Sequence, residues 1–431
     1  MLDVKWIRKN LTTMRESLKK REIEADLDTL LNLDDERREC VKKGDELKHL
    51  KNLYSKKISQ LKNSSKDPQD IIKETQKLVL HIKEWEKKRR NYEQRITDFL
   101  LNLPNRLHPS VPGGDDNIEE KRCGKLPKFN FSPRDHQQIG EDLNILDFKR
   151  AAKITGSGFV VYKGLGARLE RALINFMLDL HISQGYKEIL PPFMTNSAAT
   201  TGTGQLPKFR EELYKCERDD YYLVPTAEVP VTNLHREEIL KEDDLPLSYV
   251  AYTPCFRREA GAYGKKIKGI IRQHQFNKVE LVKFTTPQTS YEELEKLLLD
   301  AEEVLKKLEL PYRVVRLCGK ELGFSAAFGY DIEVWIPSQK RFLEISTCSN
   351  FEDYQSRRAS IRYRDKEKGL IHYVHTLNGS GLAIGRTVVA ILENFQDENE
   401  RVRIPDVLHP YMNGVKLIER GGVSELARSR S

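Results

Sequence analysis

At 431 residues the chain is long for one average domain, so two or more are expected, and a net charge of +8 permits a polyanionic partner without demanding one. With 39% hydrophobic and 32% charged residues it can fill a core and stay in solution, and no run approaches the ~20 apolar residues of a membrane span. Met1-Leu-Asp-Val-Lys-Trp6 has no apolar stretch behind basic residues, and Cys40, Cys123, Cys216, Cys255, Cys318 and Cys348 form no CxxC pair, which points to a cytoplasmic protein without a disulfide framework or a zinc site.

The first hundred residues hold one glycine, Gly44, and no proline before Pro68. Two ladders step by seven: Leu33, Cys40, Leu47, Tyr54, Leu61, and then Ile71, Leu78, Trp85, Tyr92, Phe99. Leu30, Ile58, Ile82 and Ile96 support them on neighbouring rows. A sustained heptad makes an apolar stripe that must pack on another helix. Between the ladders, Lys62–Asp70 is a polar loop with a helix-starting Asp-Pro. The spacing predicts an antiparallel helical hairpin over about 27–100 with its tip at about 62–70. Its polarity speaks against a piece of globular core, and the short loop against a dimeric zipper. At ~1.5 Å per residue, roughly 35 residues per arm would reach on the order of 50 Å.

Charge on this hairpin is uneven. Leu47–Lys66 contains Lys48, Lys51, Lys56, Lys57, Lys62 and Lys66 and no carboxylate. Such a run is either a solvated face or a reader of phosphate backbone, and the hairpin alone leaves both open.

Pro104 closes the second helix, and residues 106–120 read as a linker between an N-terminal domain, 1–105, and a second domain, 121–431. There the pattern is mixed. Helices are expected over Ala167–Gln184 and Tyr291–Leu308, and strands over Tyr221–Val224, Val279–Phe284, Tyr312–Leu317, Asp331–Ile336 and Arg341–Ile345. Strands grouped with few crossover helices predict an α+β domain around a mainly antiparallel sheet. Val423–Ser431 is a polar tail expected to fray.

No G-x-x-x-x-G-K-[ST] occurs, and Gly379-Ser-Gly-Leu-Ala-Ile-Gly385 has the wrong spacing for G-x-G-x-x-G, with no strand expected before it. A nucleotide site must then use charged side chains. Three segments supply them. Phe256–Leu281 reads as strand, glycine-rich basic loop and returning strand, with Arg272, His274 and Phe276 alternating on one face, where an arginine could hold phosphate and an aromatic stack a base. Leu343–Asn350 alternates an acid with hydroxyls, a hard-oxygen set suited to Mg²⁺. Thr376–Arg386 ends in an arginine in the first turn of an apolar helix, Thr387–Glu393, where the helix dipole disfavours a cation unless an anion faces it. Each also has a plain structural reading: a basic surface hairpin, a polar strand end, a salt-bridged arginine.

In this order the three segments resemble motifs of the class II aminoacyl-tRNA synthetases. Gly166–Gly185 followed by Tyr186-Lys-Glu-Ile-Leu-Pro-Pro-Phe193 is similar to the helix and proline-bearing strand that family uses at its dimer interface. Pro225-Thr-Ala-Glu-Val229, Gln273–Glu280, Glu344–Asn350 and Asn378-Gly-Ser-Gly381 look like the seryl-tRNA synthetases. So does the hairpin, which in that family grips the long variable arm of the tRNA. The resemblance implies a homodimer that activates L-serine with ATP to seryl-adenylate, with Mg²⁺ beside the nucleotide, and transfers serine to tRNA(Ser), with tRNA(Sec) as a family-level expectation. The lack of paired Cys/His ligands speaks against the zinc-dependent seryl variant.

Roles follow by position. The resemblance implies that Arg257 contacts the α-phosphate, Glu259 the adenine amino group, and Arg386 the γ-phosphate with Arg272 nearby. Phe276 would stack the adenine, and Glu344 would bind Mg²⁺ with Ser346 and Thr347 beside it. Arg258, Gln273 and Ile345 complete the expected ATP contacts, and Arg257, Arg386 and Glu344 are the expected catalytic residues. Thr226, Ala227, Glu228, Arg257, Glu280 and Ser380 would form the serine pocket, with Glu280 on the hydroxyl, and Lys48, Lys51, Lys56, Lys57 and Lys62 would meet tRNA. The sequence departs from the family at Lys265-Lys-Ile-Lys268, at Thr347 where serine is common, and at Phe328-Gly329. Rival readings are a synthetase for threonine or proline, a non-catalytic tRNA-binding paralogue, and a structural coiled-coil protein.

Overall fold

The computed structural model describes residues 1–260 and 269–421. Lys265–Lys268 and the tail from Val423 lie outside the described residues. The chain forms two compact units, Met1–Lys19 with Ile23–Pro104, and Lys20–Glu22 with Asn105–Ser431.

The first unit is helical: α1 (Val4–Lys9), α2 (Leu11–Lys20), α3 (Leu27–Asn63) and α4 (Gln69–Leu101). Asp26 caps α3 by accepting from the Thr29 N–H at 3.0 Å, which satisfies one of the free donors of the first turn. Every rung of both heptad ladders is buried or half-buried, so the stripe of α3 packs on that of α4. Helix α1 is pinned to the base of α3 through Asp34, which meets Arg8 at 3.1 Å, Arg37 at 2.7 Å and Arg38 at 2.8 Å. Burial alone would raise this carboxyl, but the guanidinium groups more than offset it and hold it below the usual range. Lys56, Lys57 and Lys62 are exposed and Lys51 is half-buried, while Lys48 sits 2.9 Å from Glu86.

The second unit is built on an eight-stranded sheet. Its strands are β1 (Ile118–Cys123), β2 (Lys187–Glu188), β3 (Leu247–Phe256), β4 (Gln275–Thr285), β5 (Tyr312–Arg316), β6 (Phe328–Ile336), β7 (Arg341–Asn350) and β8 (His375–Ala383). The order is β1-β5-β6-β7-β8-β4-β3-β2, antiparallel throughout except for the pair β2–β3. Helices α5 (His136–Asp142), α6 (Leu165–Ser183), α7 (Ser290–Lys307) and α8 (Ile384–Asn394) accompany it, and α6, α7 and α8 pack on the sheet to enclose the main core. No helix among the described residues is long and apolar enough to cross a membrane.

Three features differ from the sequence expectation. Residues 375–383 form a strand, although none was expected ahead of the Gly379–Gly385 run. A Cβ at Gly379 would collide with Leu297 of α7 and lie 2.9 Å from Cys348 Sγ, and one at Gly381 would lie 2.5 Å from His181 Nε2 of α6. The glycines therefore let two helices approach the strand closely. The returning strand after Arg257 begins only at Gln275, so Arg272 and His274 precede it and do not share a strand face with Phe276. Residues 105–120 carry structure within the second unit: Asn105 N–H donates to Phe324 O at 3.0 Å, His108 N–H to Ala327 O at 2.9 Å, and β1 begins at Ile118.

The Phe328-Gly329 departure has a packing reason. The Phe328 ring lies 5.7 Å from His108, 6.0 Å from Tyr291 and 5.1 Å from Tyr330, an edge-on aromatic cluster. At the next position a Cβ would stand 2.9 Å from Cys348 O, which favours glycine.

Candidate active site

Strands β4, β7 and β8, the segment that follows β3 and the first turn of α8 line a cavity of about 560 Å³. Arg257 follows the end of β3. Its Nε donates to Pro225 O at 3.2 Å, and its guanidinium stands 5.3 Å from the centre of the Phe276 ring. Glu259 has a backbone φ of +51° and accepts from Arg272 Nη1 at 2.6 Å, so a left-handed residue turns its carboxylate onto an arginine from the returning segment.

Arg386 opens α8. Its Nη1 donates to Glu344 O at 2.6 Å and its Nε to Ile271 O at 3.2 Å, and the guanidinium lies 3.4 Å from Glu344 Oε2. Thr347 Oγ1 donates to Asp331 Oδ1 at 2.6 Å. Burial, and then the charge of Glu344, push the Asp331 carboxyl well above its ordinary value. Glu344 and Thr347 thus line the cavity beside Arg386, with the Asp331 carboxyl behind the Thr347 hydroxyl.

A second polar group lines the same cavity. Glu280 accepts from Asn378 Nδ2 at 2.9 Å, from Ser380 Oγ at 3.3 Å and from Lys278 Nζ at 2.7 Å. Glu228, from the short helix Glu228–Thr232, accepts from Gln355 Nε2 at 2.5 Å. Burial first, and the Glu280 charge second, push the Glu228 carboxyl up to about 7. Thr226 lines the cavity nearby.

Of the residues expected here, Thr226, Glu228, Arg257, Glu259, Arg272, Gln273, Phe276, Glu280, Glu344, Ile345, Thr347, Ser380 and Arg386 all line this one cavity. Three do not. Arg258 turns away to Glu211, donating to its backbone oxygen at 3.2 Å and its carboxylate at 3.4 Å. Ser346 is buried with its hydroxyl donated to Ser380 O at 2.7 Å, because alternation along β7 points it away from the side of Ile345 and Thr347 that meets the cavity. Ala227 is fully buried in a separate apolar cluster with Val231 and Phe284. His274 is also turned aside: its Nδ1 lies 3.1 Å from Arg257 O and its N–H donates to Gly158 O at 3.0 Å.

Sequence reasoning missed Thr203, Gly204, Gln205 and the segment Gly323–Ala326, which close other parts of the wall. These are loop residues brought in from a distance, and only the Thr-Gly-Thr-Gly-Gln run offered a signal. It also missed Lys278 and Asn378. A lysine within a strand reads as a surface residue, yet Lys278 is only 7% exposed.

Residues 1–107 match the model of the seryl-tRNA synthetase N-terminal domain, and residues 214–395 match the tRNA synthetase class II core domain (G, H, P, S and T). A serine–tRNA ligase of Geobacter sulfurreducens is 57% identical over 422 residues, covering 97% of this chain and 100% of that one. One of Alkaliphilus oremlandii is 55% identical over 425 residues with the same coverage. The crystal structure of a seryl-tRNA synthetase from Pyrococcus horikoshii complexed with ATP superposes with a TM-score of 0.93 at 39% identity, covering 97% of this chain and 100% of that chain.

Proposed function

The chain belongs to the seryl-tRNA synthetase family and is an aminoacyl-tRNA ligase, and from that premise we propose that it joins L-serine to the 3′ end of tRNA(Ser) in two steps at this cavity. The observation that carries the reading is the meeting, in one cavity, of Arg257, Arg272 and Arg386 with Phe276 and with the Glu228–Glu280 group. The first set suits a nucleotide triphosphate, and the second an amino acid with an ammonium and a hydroxyl.

In the first step the serine carboxylate attacks the α-phosphorus of ATP and pyrophosphate leaves. Arg257 on the α-phosphate offsets the charge that develops on the phosphoryl oxygens, and Arg386 with Arg272 nearby holds the γ-phosphate. Phe276 stacks the adenine and Glu259 accepts from its amino group. Positioning supplies most of the rest, and no protein nucleophile is needed. In the second step the 3′-hydroxyl of the terminal adenosine attacks the seryl-adenylate carbonyl and AMP leaves.

The oxygens of Glu344 and Thr347, with Asp331 behind them, are hard donors at the cavity wall and fit Mg²⁺. Glu344 and Thr347 would hold the ion, which when bound would neutralise triphosphate charge.

Serine is selected through Glu280, already held by Asn378, Ser380 and Lys278, and its ammonium is met by Glu228. Alanine leaves the hydroxyl site unpaired, and the cavity wall must exclude the extra methyl of threonine by shape. Lys51, Lys56, Lys57 and Lys62, with Lys48, present the charge for the tRNA backbone. Charging of tRNA(Sec) and a cytoplasmic location belong to the same reading, as does a homodimer, which the exposed Leu190, Phe193 and Met194 beside β2 support.

The test is aminoacylation of tRNA(Ser) with labelled serine, alanine and threonine. Charging with serine alone is expected; charging with none, or preferentially with threonine, would contradict the proposal.

A further inference from the structure

Residues 269–271 are the first described residues of the returning segment, directly ahead of Arg272 and Gln273 in the cavity. Three separate devices fix them. Gly269 has φ +74°, and a Cβ there would collide with His136 Nε2. The Ile270 N–H donates to the same His136 Nε2 at 3.3 Å. The Ile271 carbonyl accepts from Arg386 Nε at 3.2 Å.

His136 stands at the start of α5, outside the cavity, and is 2% exposed. A backbone N–H can only donate, so Nε2 must carry the lone pair and Nδ1 the proton. Nδ1 then donates to Glu393 Oε1 at 2.8 Å, and the His136 N–H donates to the same oxygen at 3.0 Å. The other Glu393 oxygen accepts from the Ser338 N–H at 3.1 Å. Glu393 is fully buried, and these three donors satisfy both of its carboxylate oxygens.

Glu393 and Arg386 both belong to α8, seven residues and so about two turns apart, on nearly the same face. One helix therefore grips both sides of the Ile270–Ile271 stretch. Through His136 it holds the N–H, and through Arg386 it holds the carbonyl.

We propose that His136 is a positioning residue for the nucleotide half of the reaction: oriented by Glu393, its ring sets where Ile270 sits and so aims Arg272 and Arg386 at the triphosphate. The proposal rests on the synthetase reading. Wild-type exchange tests that reading first, and the variants then test His136 alone.

The experiment is serine-dependent ATP–pyrophosphate exchange with the full chain, comparing wild type, His136→Leu and His136→Gln. Leucine fills the space without an acceptor, whereas the glutamine Oε1 can reach the Nε2 position and accept from Ile270. His136→Leu is expected to raise the KM for ATP by about tenfold and leave the KM for serine within about twofold. His136→Gln is expected to recover most of the ATP effect. An unchanged ATP KM in His136→Leu, or equal losses for both substrates without rescue by glutamine, would overturn the proposal. If the leucine variant does not fold, Gly269→Ala tests the same contact from the other side. Its Cβ forces the ring and the Ile270 N–H apart, and an unchanged ATP KM there is equally fatal.

Discussion

Glu228 and Glu280 line one cavity and repel one another, yet only Glu280 is given a cationic partner within hydrogen-bonding reach, Lys278 at 2.7 Å. Glu228 has the neutral Gln355 amide, and its carboxyl is pushed up to about 7 by burial and by Glu280. Without substrate the Glu228 carboxyl is thus partly protonated near neutral pH.

The serine KM should therefore depend on pH. A carboxyl with a raised pKa is neutral below about 7 and ionised above it, and only the ionised form attracts the serine ammonium. The KM for serine is expected to fall as pH rises from about 6 to about 8, and Glu228→Gln should flatten that slope and raise the KM throughout. Initial rates of pyrophosphate exchange across this range check it.

Glu280 should decide between serine and alanine. A site that keeps a carboxylate for a substrate hydroxyl rejects the analogue lacking it, because the group is then left unpaired. Glu280→Ala is expected to lower the serine-to-alanine ratio of kcat/KM by at least about a hundredfold, mostly through loss of serine activity. Unchanged discrimination would remove Glu280 from the hydroxyl contact.

Glu170 on α6 gives a separate pH effect on stability. It accepts from Asn277 Nδ2 at 3.1 Å, and burial pushes its carboxyl up to about 7. Because the folded pKa is raised, the folded state binds more protons than the unfolded one between the ordinary value and about 7, so this group's contribution falls as pH rises through that window. Glu170→Gln keeps the shape and cannot ionise. Relative to wild type it should become more stable as pH is raised from about 5 to about 8, read from urea midpoints at each pH.

The glycines of β8 should resist substitution. Gly379→Ala drives a methyl into Leu297 and toward Cys348 Sγ, and overpacking of this kind costs about 1–3 kcal/mol. A lowered thermal midpoint is expected from calorimetry, whereas Gly44→Ala, with nothing within 4 Å of the added carbon, should leave it unchanged or raised.

The arm should govern tRNA and not activation. Reversing Lys56, Lys57 and Lys62 to glutamate is expected to raise the KM for tRNA by roughly tenfold or more at low salt and to reduce its salt dependence. Exchange without tRNA reports separately on the second unit.

The helical hairpin was legible because Leu33 to Leu61 and Ile71 to Phe99 repeat over nearly the full length of two helices, and periodicity of that length has one physical outcome. The strands β4 to β7 were legible through runs of branched and aromatic residues. Strand β8 was not, because its glycines are set by the approach of α6 and α7, a tertiary fact absent from local pattern. Arg386 was readable because a cation in the first turn of a helix is unusual, whereas the other cavity arginines and the glutamates were assigned through the family resemblance of their motifs. Ser346 and Ala227 were misjudged because a motif names a stretch, while alternation and packing decide which member faces inward. Lys278 was missed because a lysine within a strand reads as a surface residue, and His136 because its partner Glu393, 257 residues away, is joined to it only by folding.

Most direct of all is ATP–pyrophosphate exchange without tRNA, using serine with threonine, alanine and proline as controls. Exchange with serine and not with the others is the expected result, and it would show that the chain activates serine and selects it without tRNA. No exchange with any amino acid, from protein shown to be folded, would contradict the catalytic reading.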